Sequence, residues 1–300
     1  MSLLVTGAGG QLGRELAQRL PATEAVCLTR AELDLTDTAA LGAALARLRP
    51  QVVINAAAYT AVDRAETERD LAFAANAEAP GLLARACAEA GAALLHVSTD
   101  YVFDGASRRP WREDDATGPI NVYGASKLAG EQAIQRAMPQ HLIVRTAWVF
   151  GAHGANFVRT VLRLARERGA LRIVADQTGS PTWAGHLAEA LIHLARRIAD
   201  GETLAWGVYH YAGAPAASWH DFARHIVQAA AAQGLLPAAV PIEPIASAAY
   251  PTPARRPAWS VLDGARMAET FGLAPPDWRI GLTRTLAAWQ AETPGRLAPC

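Results

Sequence analysis

The stretch LLVTGAGGQLG, residues 3–13, joins a short apolar run to a glycine-rich turn and the start of an amphipathic segment. Gly7, Gly10 and Gly13 follow the spacing G-x-x-G-x-x-G. Glycines at these positions permit a tight turn, let the backbone approach a pyrophosphate and allow a helix to pack closely on the strand. The helix N-terminus then offers free N–H groups and a partial positive charge to phosphates. The stretch therefore predicts a strand, a turn and a helix that together bind a dinucleotide.

Apolar runs and helical stretches alternate through the first half of the chain. The runs that predict buried strands are residues 3–5, 25–28, 52–54, 93–97 and 142–144. The stretches that predict helices between them are 12–20, 38–48, 69–90 and 124–137. Nearly continuous apolar strands separated by helices are typical of a parallel sheet that is covered on both faces. The pattern predicts an α/β fold with a Rossmann-type, doubly wound parallel sheet.

The pattern changes after about residue 150. Predicted helices at 156–168, 184–199 and 218–233 are joined by segments rich in Pro, Gly and Trp. Six prolines in residues 237–257 predict irregular structure there. We therefore expect an NAD(P)-binding domain over residues 1–150 and a smaller, mainly substrate-binding domain over residues 151–300. Segments of the second half, such as a strand at 171–174, are left free to return to the first sheet.

Bulk composition excludes several classes of protein. The formal net charge is zero and the charges are interspersed, so the basic surface of a nucleic-acid-binding protein is not predicted. No uncharged apolar run reaches 18 residues, so no membrane span is predicted. Three widely spaced cysteines without a Cys-x-x-Cys pair are typical of a reducing compartment. We expect a cytoplasmic protein.

Lys127 is the single lysine among 28 basic residues. It stands four residues after Tyr123, and side chains at that spacing lie on one face of a helix. Lysine is a compact ammonium that fits beside a phenol and a ribose diol, whereas arginine is a planar fork. A cation near a phenol lowers the pKa of that phenol, which suits the tyrosine to proton transfer. The pair predicts a general acid with a supporting cation, although a solitary lysine on a solvated helix is the simpler alternative.

The predicted second strand ends near Arg30, with Asp34 four residues later. Sites that prefer NAD usually carry an acid at this point for the ribose hydroxyls, whereas an arginine accommodates the 2′-phosphate of NADP. Arg14, in the first turn of the first helix, is a second candidate for that phosphate. An ordinary surface arginine remains the alternative interpretation of Arg30.

Two further strands end in residues suited to a ligand. The run after Asn55 consists of small residues up to Tyr59, as expected where a backbone passes close to a flat cofactor. Ser98, Thr99 and Asp100 follow the next strand, at the carboxyl edge where parallel sheets bind ligands. Polar residues at that edge also cap turns, which is the alternative.

These motifs together resemble the extended short-chain dehydrogenase/reductases and, among them, the dTDP-4-dehydrorhamnose reductase family. The motifs that carry the resemblance are the glycine turn, N-A-A-A at 55–58, S-T-D-Y-V-F-D-G at 98–105, N-V-Y-G-A-S-K-L-A-G-E at 121–131, R-T-A-W-V-F-G at 145–151, G-A-N-F at 154–157, D-Q-T-G-S-P-T at 176–182 and A-R-R-P at 254–257. The resemblance runs from residue 1 to at least residue 290.

The resemblance implies a reduction of a dTDP-linked 4-keto-6-deoxysugar by NADPH, with NADH as the alternative. Tyr123 would protonate the keto oxygen, Lys127 would hold the nicotinamide ribose, and Thr99 would bond the same oxygen. The implied cofactor-binding residues are Gly7, Gly10, Gln11, Leu12, Gly13, Arg30, Asp34, Leu35, Ala57, Ala58, Tyr59, Tyr123 and Lys127. The implied substrate-binding residues are Thr99, Asp100, Tyr123, Trp148, Asn156, Arg255 and Arg256.

Some implications stay open at this point. Arg255 and Arg256 either clamp the nucleotide diphosphate or form a charged loop tip. Some members of the family hold magnesium at a dimer interface, for which Glu15, Glu189 and Glu292 are candidates, each of them equally a solvated helix glutamate. A homodimer is left open. The alternative functions are a related sugar-nucleotide epimerase or dehydratase, or a regulatory subunit that binds cofactor without catalysis.

Overall fold

A computed structural model describes residues 2–292, the side chain of Glu292 excepted. The strands are β1 Leu3–Thr6, β2 Ala25–Leu28, β3 Val52–Asn55, β4 Ala93–Thr99, β5 His141–Thr146, β6 Val149–Phe150, β7 Leu171–Val174, β8 Thr178–Gly179, β9 Thr182–Trp183, β10 Gly207–His210, β11 Ala217–Ser218 and β12 Ile242–Ile245. The α-helices are α1 Gln11–Arg19, α2 Thr38–Leu48, α3 Val62–Ala65, α4 Arg69–Phe73, α5 Ala79–Ala90, α6 Val122–Ala137, α7 Phe157–Arg168, α8 Ala184–Ala199, α9 Trp219–Ala232, α10 Ala265–Phe271 and α11 Trp278–Glu292. Within this part of the chain no helix is long and apolar enough to cross a membrane.

A six-stranded sheet in the order β10-β5-β4-β3-β1-β2 organises the molecule, and its pairs of neighbours are parallel. From β1 the chain moves outward to β2 and then crosses back to β3 on the other side of β1. This reversal opens a crevice beyond the carboxyl ends of β1 and β3, where such sheets bind ligands. The Rossmann-type α/β fold predicted from the sequence is confirmed.

Alternate residues of the strands face the two sides of this sheet. Leu3 and Val5 of β1 lie in one apolar core with residues of α1 and α8. Leu4 and Val53 lie in a second core on the opposite face, with residues of α2 and α5. Both faces are therefore buried, which explains why the strands are nearly continuous apolar runs in the sequence.

Two elements from the second half of the chain complete the first sheet. Helix α8 packs against α1 on one face, and β10 adds a parallel strand beside β5. The suggestion that residues 171–174 return to this sheet was wrong, because β7 pairs with β12 instead. Strand β10 is short and half-polar (GVYH), and this gives it a weak apolar signal in the sequence.

A separate apolar core supports the rest of the second half. Phe150, Trp183, Phe222 and Trp278 lie at its centre, surrounded by α7, α9 and α11. The short strand pairs β6–β9, β7–β12 and β8–β11 border this core. The cluster therefore forms a second packing unit beside the sheet.

The proline-rich segment was predicted to be irregular, but it contains a strand, β12. Leu171 N–H bonds the Pro241 carbonyl and Ala175 N–H bonds the Ile245 carbonyl, so the odd-numbered residues face β7. Because backbone polar groups alternate sides along a strand, the nitrogen of Pro244 faces away from β7. The proline therefore costs the sheet no hydrogen bond, and the prediction failed because it ignored this positional tolerance.

A π-helical turn at Ala74–Glu78 interrupts what the sequence predicted as one helix over residues 69–90. Asn76 lies in this turn and is fully buried. Its side chain accepts the Tyr59 N–H at 2.8 Å and donates to the Tyr59 carbonyl at 2.9 Å and to the Ser126 hydroxyl at 3.0 Å. The turn thus ties the segment after β3 to helix α6.

Candidate active site

The glycine turn fits tightly between β1 and α1. Gly7 has a φ of +76°, and a Cβ there would lie 2.5 Å from the Ala57 nitrogen. A Cβ on Gly13 would lie 2.1 Å from the Gly7 carbonyl oxygen. The space at Gly10 is less restricted, at 3.3 Å from the same oxygen. Two of the three glycines are therefore required by close backbone approach, and the third is required less strictly.

The N-terminus of α1 carries no side-chain cap and no acid in its first turn. Helices α2, α6, α7 and α9 are each capped by a side chain, from Asp37, Asn121, Asn156 and Ser218 respectively, whereas α8 begins without a cap as α1 does. An uncapped helix start leaves its N–H groups and its partial positive charge free for an anion. These features fit the pyrophosphate of a dinucleotide. Gly9 and Gly10, which directly precede the helix, are exposed and leave its N-terminus open to such a ligand.

Arg30 lies at the end of β2 with 82% of its side chain exposed. Its Nε is 3.7 Å from Asp34 Oδ2, a loose contact that leaves the guanidinium able to turn to another anion. Arg14 is also exposed and bonds the Gly9 carbonyl at 3.3 Å. Leu35 is buried in the core below this loop. Two exposed cations therefore follow the glycine turn and the end of β2.

The segment after β3 follows the neighbouring edge of the crevice. Asn55 Oδ1 accepts the Ala57 N–H at 3.0 Å, which turns the chain away from the strand. Ala58 is exposed and Tyr59 is half-buried, with its phenol bonded to Glu68 at 2.6 Å. The small side chains predicted to border a flat cofactor therefore lie directly beside the glycine turn.

Tyr123 and Lys127 lie one turn apart on α6. Lys127 is 2% exposed, and its amine lies 2.7 Å from the Val97 carbonyl oxygen and 3.2 Å from His96 Nε2. The expectation that Lys127 lowers the pKa of Tyr123 was wrong for this structure. Burial raises the pKa of Tyr123 to about 12, a hydrogen bond with Thr99 opposes the rise, and the nearby Asp100 charge adds to it. A neutral phenol is the form that can donate a proton.

The end of β4 brings polar groups to the phenol. Thr99 Oγ1 donates to Asp100 Oδ1 at 3.0 Å, and burial raises the pKa of Asp100 to about 7. Ser98 Oγ and Thr146 Oγ1 are buried and lack a hydrogen-bond partner within residues 2–292, while the Asp100 carboxyl also bonds the Ser260 hydroxyl. Buried polar atoms are nearly always bonded, so each unbonded atom marks a place that a ligand or water can complete.

Trp148 has a φ of +45°, a strained conformation for a bulky residue. Its ring stacks on Trp219 with ring centroids 3.4 Å apart and planes within 3°. It also covers Gly179 so closely that a Cβ there would lie 2.4 Å from the ring. Such strain persists only where the surroundings hold it, and it is common in ligand sites.

Asn156 and Gln11 join the first helix to the second half of the chain. Asn156 caps α7 and donates through Nδ2 to Gln11 Oε1 at 2.8 Å, and Gln11 donates to the Val149 carbonyl at 3.1 Å. Both predicted ligand-binding side chains therefore have bonds within the protein, and these bonds fix the position of α1 relative to α7.

Arg256 forms a two-pronged ion pair with Asp63, one contact of which is 2.8 Å between Nη2 and Oδ2. The Asp63 carboxylate holds the pKa of Arg256 above its ordinary value. Arg256 also bonds the phenol of Tyr101, whose ring packs edge-on against Tyr123 at 5.8 Å. Arg255 is exposed, while its carbonyl accepts from Asn121 at 2.8 Å. Among residues 2–292 the Arg255 guanidinium forms no ion pair, whereas Arg256 is already paired with Asp63.

The residues suggested for magnesium do not form a site. The Arg19 guanidinium contacts Glu15 and lies 3.5 Å from Glu189, so a cation of the protein already lies between the two carboxylates. The Glu292 side chain lies outside the described residues. Among the described residues no group of three or more His, Cys, Asp or Glu side chains could hold a metal ion. Magnesium is not supported.

Sequence analysis missed His96, Asn76 and the pair formed by Arg145 and Glu131. Arg145 lies on β5, and Glu131 lies on α6 one turn after Lys127. Both are nearly fully buried, and they bond at 2.7 Å. A histidine within an otherwise apolar strand and an asparagine within an alanine-rich helix are visible signals. Neither signal says which distant residue it meets, because that depends on how the elements pack.

Comparison with known proteins gives a consistent result. A family model described as the RmlD substrate binding domain matches residues 1–291. A dTDP-4-dehydrorhamnose reductase of Burkholderia thailandensis is 48% identical over 288 residues, which cover 94% of this chain and 97% of that protein.

Solved structures agree. A dTDP-4-dehydrorhamnose reductase of Clostridium acetobutylicum superposes with a TM-score of 0.89 at 36% identity, covering 97% of this chain and all of that one. The enzyme of that name from Bacillus anthracis, in complex with NADP, gives a TM-score of 0.87 at 35% identity, covering 96% of this chain and 99% of that one.

Proposed function

This chain belongs to the dTDP-4-dehydrorhamnose reductase family, and we propose on that basis that it reduces the 4-keto group of dTDP-4-dehydro-L-rhamnose to give dTDP-L-rhamnose, the last step in making that nucleotide sugar. It is an oxidoreductase that uses a nicotinamide cofactor. The observation that carries the assignment to the site is the hydrogen bond between Tyr123 and Thr99 at the end of β4, with Lys127 one turn further along α6 and its amine held against the same strand.

The cofactor supplies the hydride, and the residues around the glycine turn would hold it. The N–H groups at the start of α1 fit the pyrophosphate, and Ala57 and Ala58 leave room for a flat ring. Arg30, an exposed cation just after β2, favours NADPH over NADH because a 2′-phosphate would lie there, and exposed Arg14 in the first turn of α1 is a second cation near the glycine turn. The relative from Bacillus anthracis that was solved with NADP supports the same preference.

Tyr123 is the proton donor in this proposal. Because burial keeps its phenol neutral, the side chain holds its proton until negative charge develops on the substrate oxygen. The Thr99 hydroxyl, which bonds the phenol, would donate to the same oxygen by turning its single proton away from Asp100 Oδ1. Two donors aimed at a developing oxyanion stabilise the transition state more than the ground state.

Other residues would hold the sugar nucleotide. Trp148 presents a half-exposed indole next to β9, suited to the apolar face of a deoxysugar. Asn156, Asp100, Arg255 and Arg256 complete the proposed substrate contacts, with Arg256 leaving Asp63 to meet a phosphate. We also infer that residues 1–150, with α8 and β10, bind the cofactor, and that the remainder mainly binds the sugar.

The test is direct. Purified protein is mixed with dTDP-4-dehydro-L-rhamnose and NADPH, and the near-ultraviolet absorbance of the reduced nicotinamide is followed. We expect stoichiometric oxidation and a product that co-elutes with dTDP-L-rhamnose. Absence of oxidation with both NADPH and NADH would exclude the reductase function.

A further inference from the structure

A buried chain of hydrogen bonds runs from β1 to α6 beneath the candidate site. Thr6 Oγ1 donates to Asn55 Oδ1 at 2.8 Å, and the Ala57 N–H donates to the same oxygen at 3.0 Å. A backbone N–H can only donate, so the atom that it meets is the amide oxygen. The orientation of the Asn55 amide is thereby fixed, and its Nδ2 faces His96 Nδ1 at 3.0 Å.

The orientation of Asn55 determines the tautomer of His96. Burial lowers the pKa of His96 well below its ordinary value, and the nearby Lys127 charge acts in the same direction. The ring is therefore neutral and carries one proton. Because Nδ1 accepts from Asn55, that proton lies on Nε2, which is 3.2 Å from the amine of Lys127.

The tautomer of His96 determines which group donates in its contact with Lys127. An ammonium group can only donate, and so can the Nε2–H group, so the two repel when Lys127 is charged. A neutral amine can accept from Nε2–H while it still donates to the Val97 carbonyl at 2.7 Å. Burial lowers the pKa of Lys127 to about 8, in keeping with this arrangement, and the Glu131 charge opposes the shift.

Other groups around the amine do not reverse this preference. The charged side chains on elements packed around α6 are Asp63, Arg64, Glu66 and Glu68 near α3, Arg69, Asp70, Glu78, Arg85 and Glu89 on the segment from α4 to α5, Asp100 after β4, Glu131 and Arg136 on α6 itself, and Arg145 on β5. Those of the α4–α5 segment are exposed, Glu131 is bonded to Arg145, and Glu66 accepts the Val122 N–H. The other titratable side chains are Tyr101, Tyr123, Cys87, whose pKa burial raises to about 12, and His141, which bonds the Met138 carbonyl. His96 is the group in direct contact with the Lys127 amine.

We propose that His96 is a positioning residue for Lys127: its Nε2–H group, aimed by Asn55, favours the neutral amine and adjusts the lysine to exchange its proton near physiological pH. Lys127→Gln would not reproduce this behaviour, since an amide does not titrate. The significance of the proposal for catalysis rests on the proposed function, but its test does not.

The chain offers an unusually clean measurement, because Lys127 is its single lysine. Protein labelled with carbon-13 at the lysine ε position gives one side-chain resonance, whose pH titration reports the protonation of Lys127 directly. We expect a midpoint near 8 in the cofactor-free protein. In His96→Phe the opposing N–H is lost, and we expect the midpoint to rise by about one pH unit.

The opposite tautomer predicts the opposite result. If Nε2 accepted from an ammonium, His96→Phe would remove that acceptor and lower the midpoint. A lower or unchanged midpoint therefore overturns the proposal. The matched control is His141→Phe. His141 is a buried histidine on β5, the strand next to β4, and it bonds the Met138 carbonyl, so its replacement should leave the Lys127 midpoint unchanged.

Nitrogen-15 spectra of the imidazoles in the unmodified protein give a second test that does not depend on the variant folding. His96 should show a proton on Nε2, whereas the other deeply buried histidine, His210, should show it on Nδ1, which faces the Trp111 carbonyl at 3.0 Å. A proton on Nδ1 of His96 would overturn the proposal. Because neither measurement uses substrate, failure here and failure of the reductase assay are separate outcomes.

Discussion

The Lys127 amine lies 2.7 Å from the Val97 carbonyl oxygen, in the narrow space between helix α6 and strand β4. Only 2% of the residue is exposed. A space of this size admits a compact amine, but it does not admit the planar, five-donor fork of arginine without movement of the helix or strand.

Lys127→Arg should therefore reduce turnover by roughly 10²–10³-fold, because a guanidinium does not fit the place of the amine and does not release a proton near physiological pH. Steady-state kinetics with NADPH measures the loss. Arg136→Lys, at an exposed position on the same helix, is the control and should leave kcat unchanged. Near-normal activity of the Lys127 variant would show that any cation suffices.

Tyr123→Phe removes the proposed acid while it retains the ring that packs against Tyr101. We expect kcat to fall by roughly 10²–10⁴-fold, the usual contribution of general acid catalysis. Binding of NADPH, measured by fluorescence titration, should change little. Tyr250→Phe, at a residue that is 62% exposed, controls for loss of a hydroxyl elsewhere. Retained turnover in the Tyr123 variant would assign the acid to another group.

Arg30→Ala should raise the KM for NADPH by about tenfold or more, the value of a charge-assisted hydrogen bond, and should leave the KM for NADH nearly unchanged. Stability should be unaffected, since the ion pair of Arg30 with Asp34 is long and exposed. Arg47→Ala, at another exposed arginine, is the comparison. Equal effects on the two cofactors would remove Arg30 from the phosphate site.

Gly7→Ala should destabilise the protein and abolish cofactor binding, because a left-handed φ costs alanine about 1–2 kcal/mol before the contact with Ala57 is counted. Gly42→Ala is the matched control: it lies in α2, nothing stands within 4 Å of its added Cβ, and the change should stabilise the helix by about 0.5–1 kcal/mol. Thermal unfolding of both variants gives the comparison, and equal melting temperatures would contradict it.

Asp100→Asn should alter how stability depends on pH. A carboxyl whose folded pKa is raised from 3.8 to about 7 opposes folding when it is ionised. That cost is present in full above pH 7 and disappears as the pH falls to the unfolded value near 3.8. The melting temperature of the variant relative to the natural protein should therefore rise between pH 4 and pH 7. Asp114→Asn, at an exposed acid, should show no such trend.

The sequence predicted the sheet well because its strands are buried on both faces and therefore apolar throughout. The glycine turn was equally predictable from the sequence, since the close backbone approach at Gly7 and Gly13 leaves no space for a side chain. Strand β10 was missed because four residues ending in Tyr209 and His210 carry little apolar pattern. Its place beside β5 depends on pairing across more than sixty residues of chain.

Part of the geometry of the candidate site could be predicted from the sequence, but its electrostatics could not. Spacing alone placed Tyr123 and Lys127 on one face, and that is correct. It could not show that the amine turns to Val97 and His96 rather than to the phenol, because those partners come from another element. Desolvation is likewise a property of the packed structure, and it reverses the pKa shift expected for Tyr123.

Pro244 has a consequence for how copies of this protein behave in a crowded solution. Strand β12 is an open edge, and an open edge is a template on which a second chain can add a strand. The outward-facing nitrogen of Pro244 carries no hydrogen, so an incoming strand would lose a bond in the middle of its ladder. The proline that costs the native pairing nothing therefore protects the protein against aggregation through this edge.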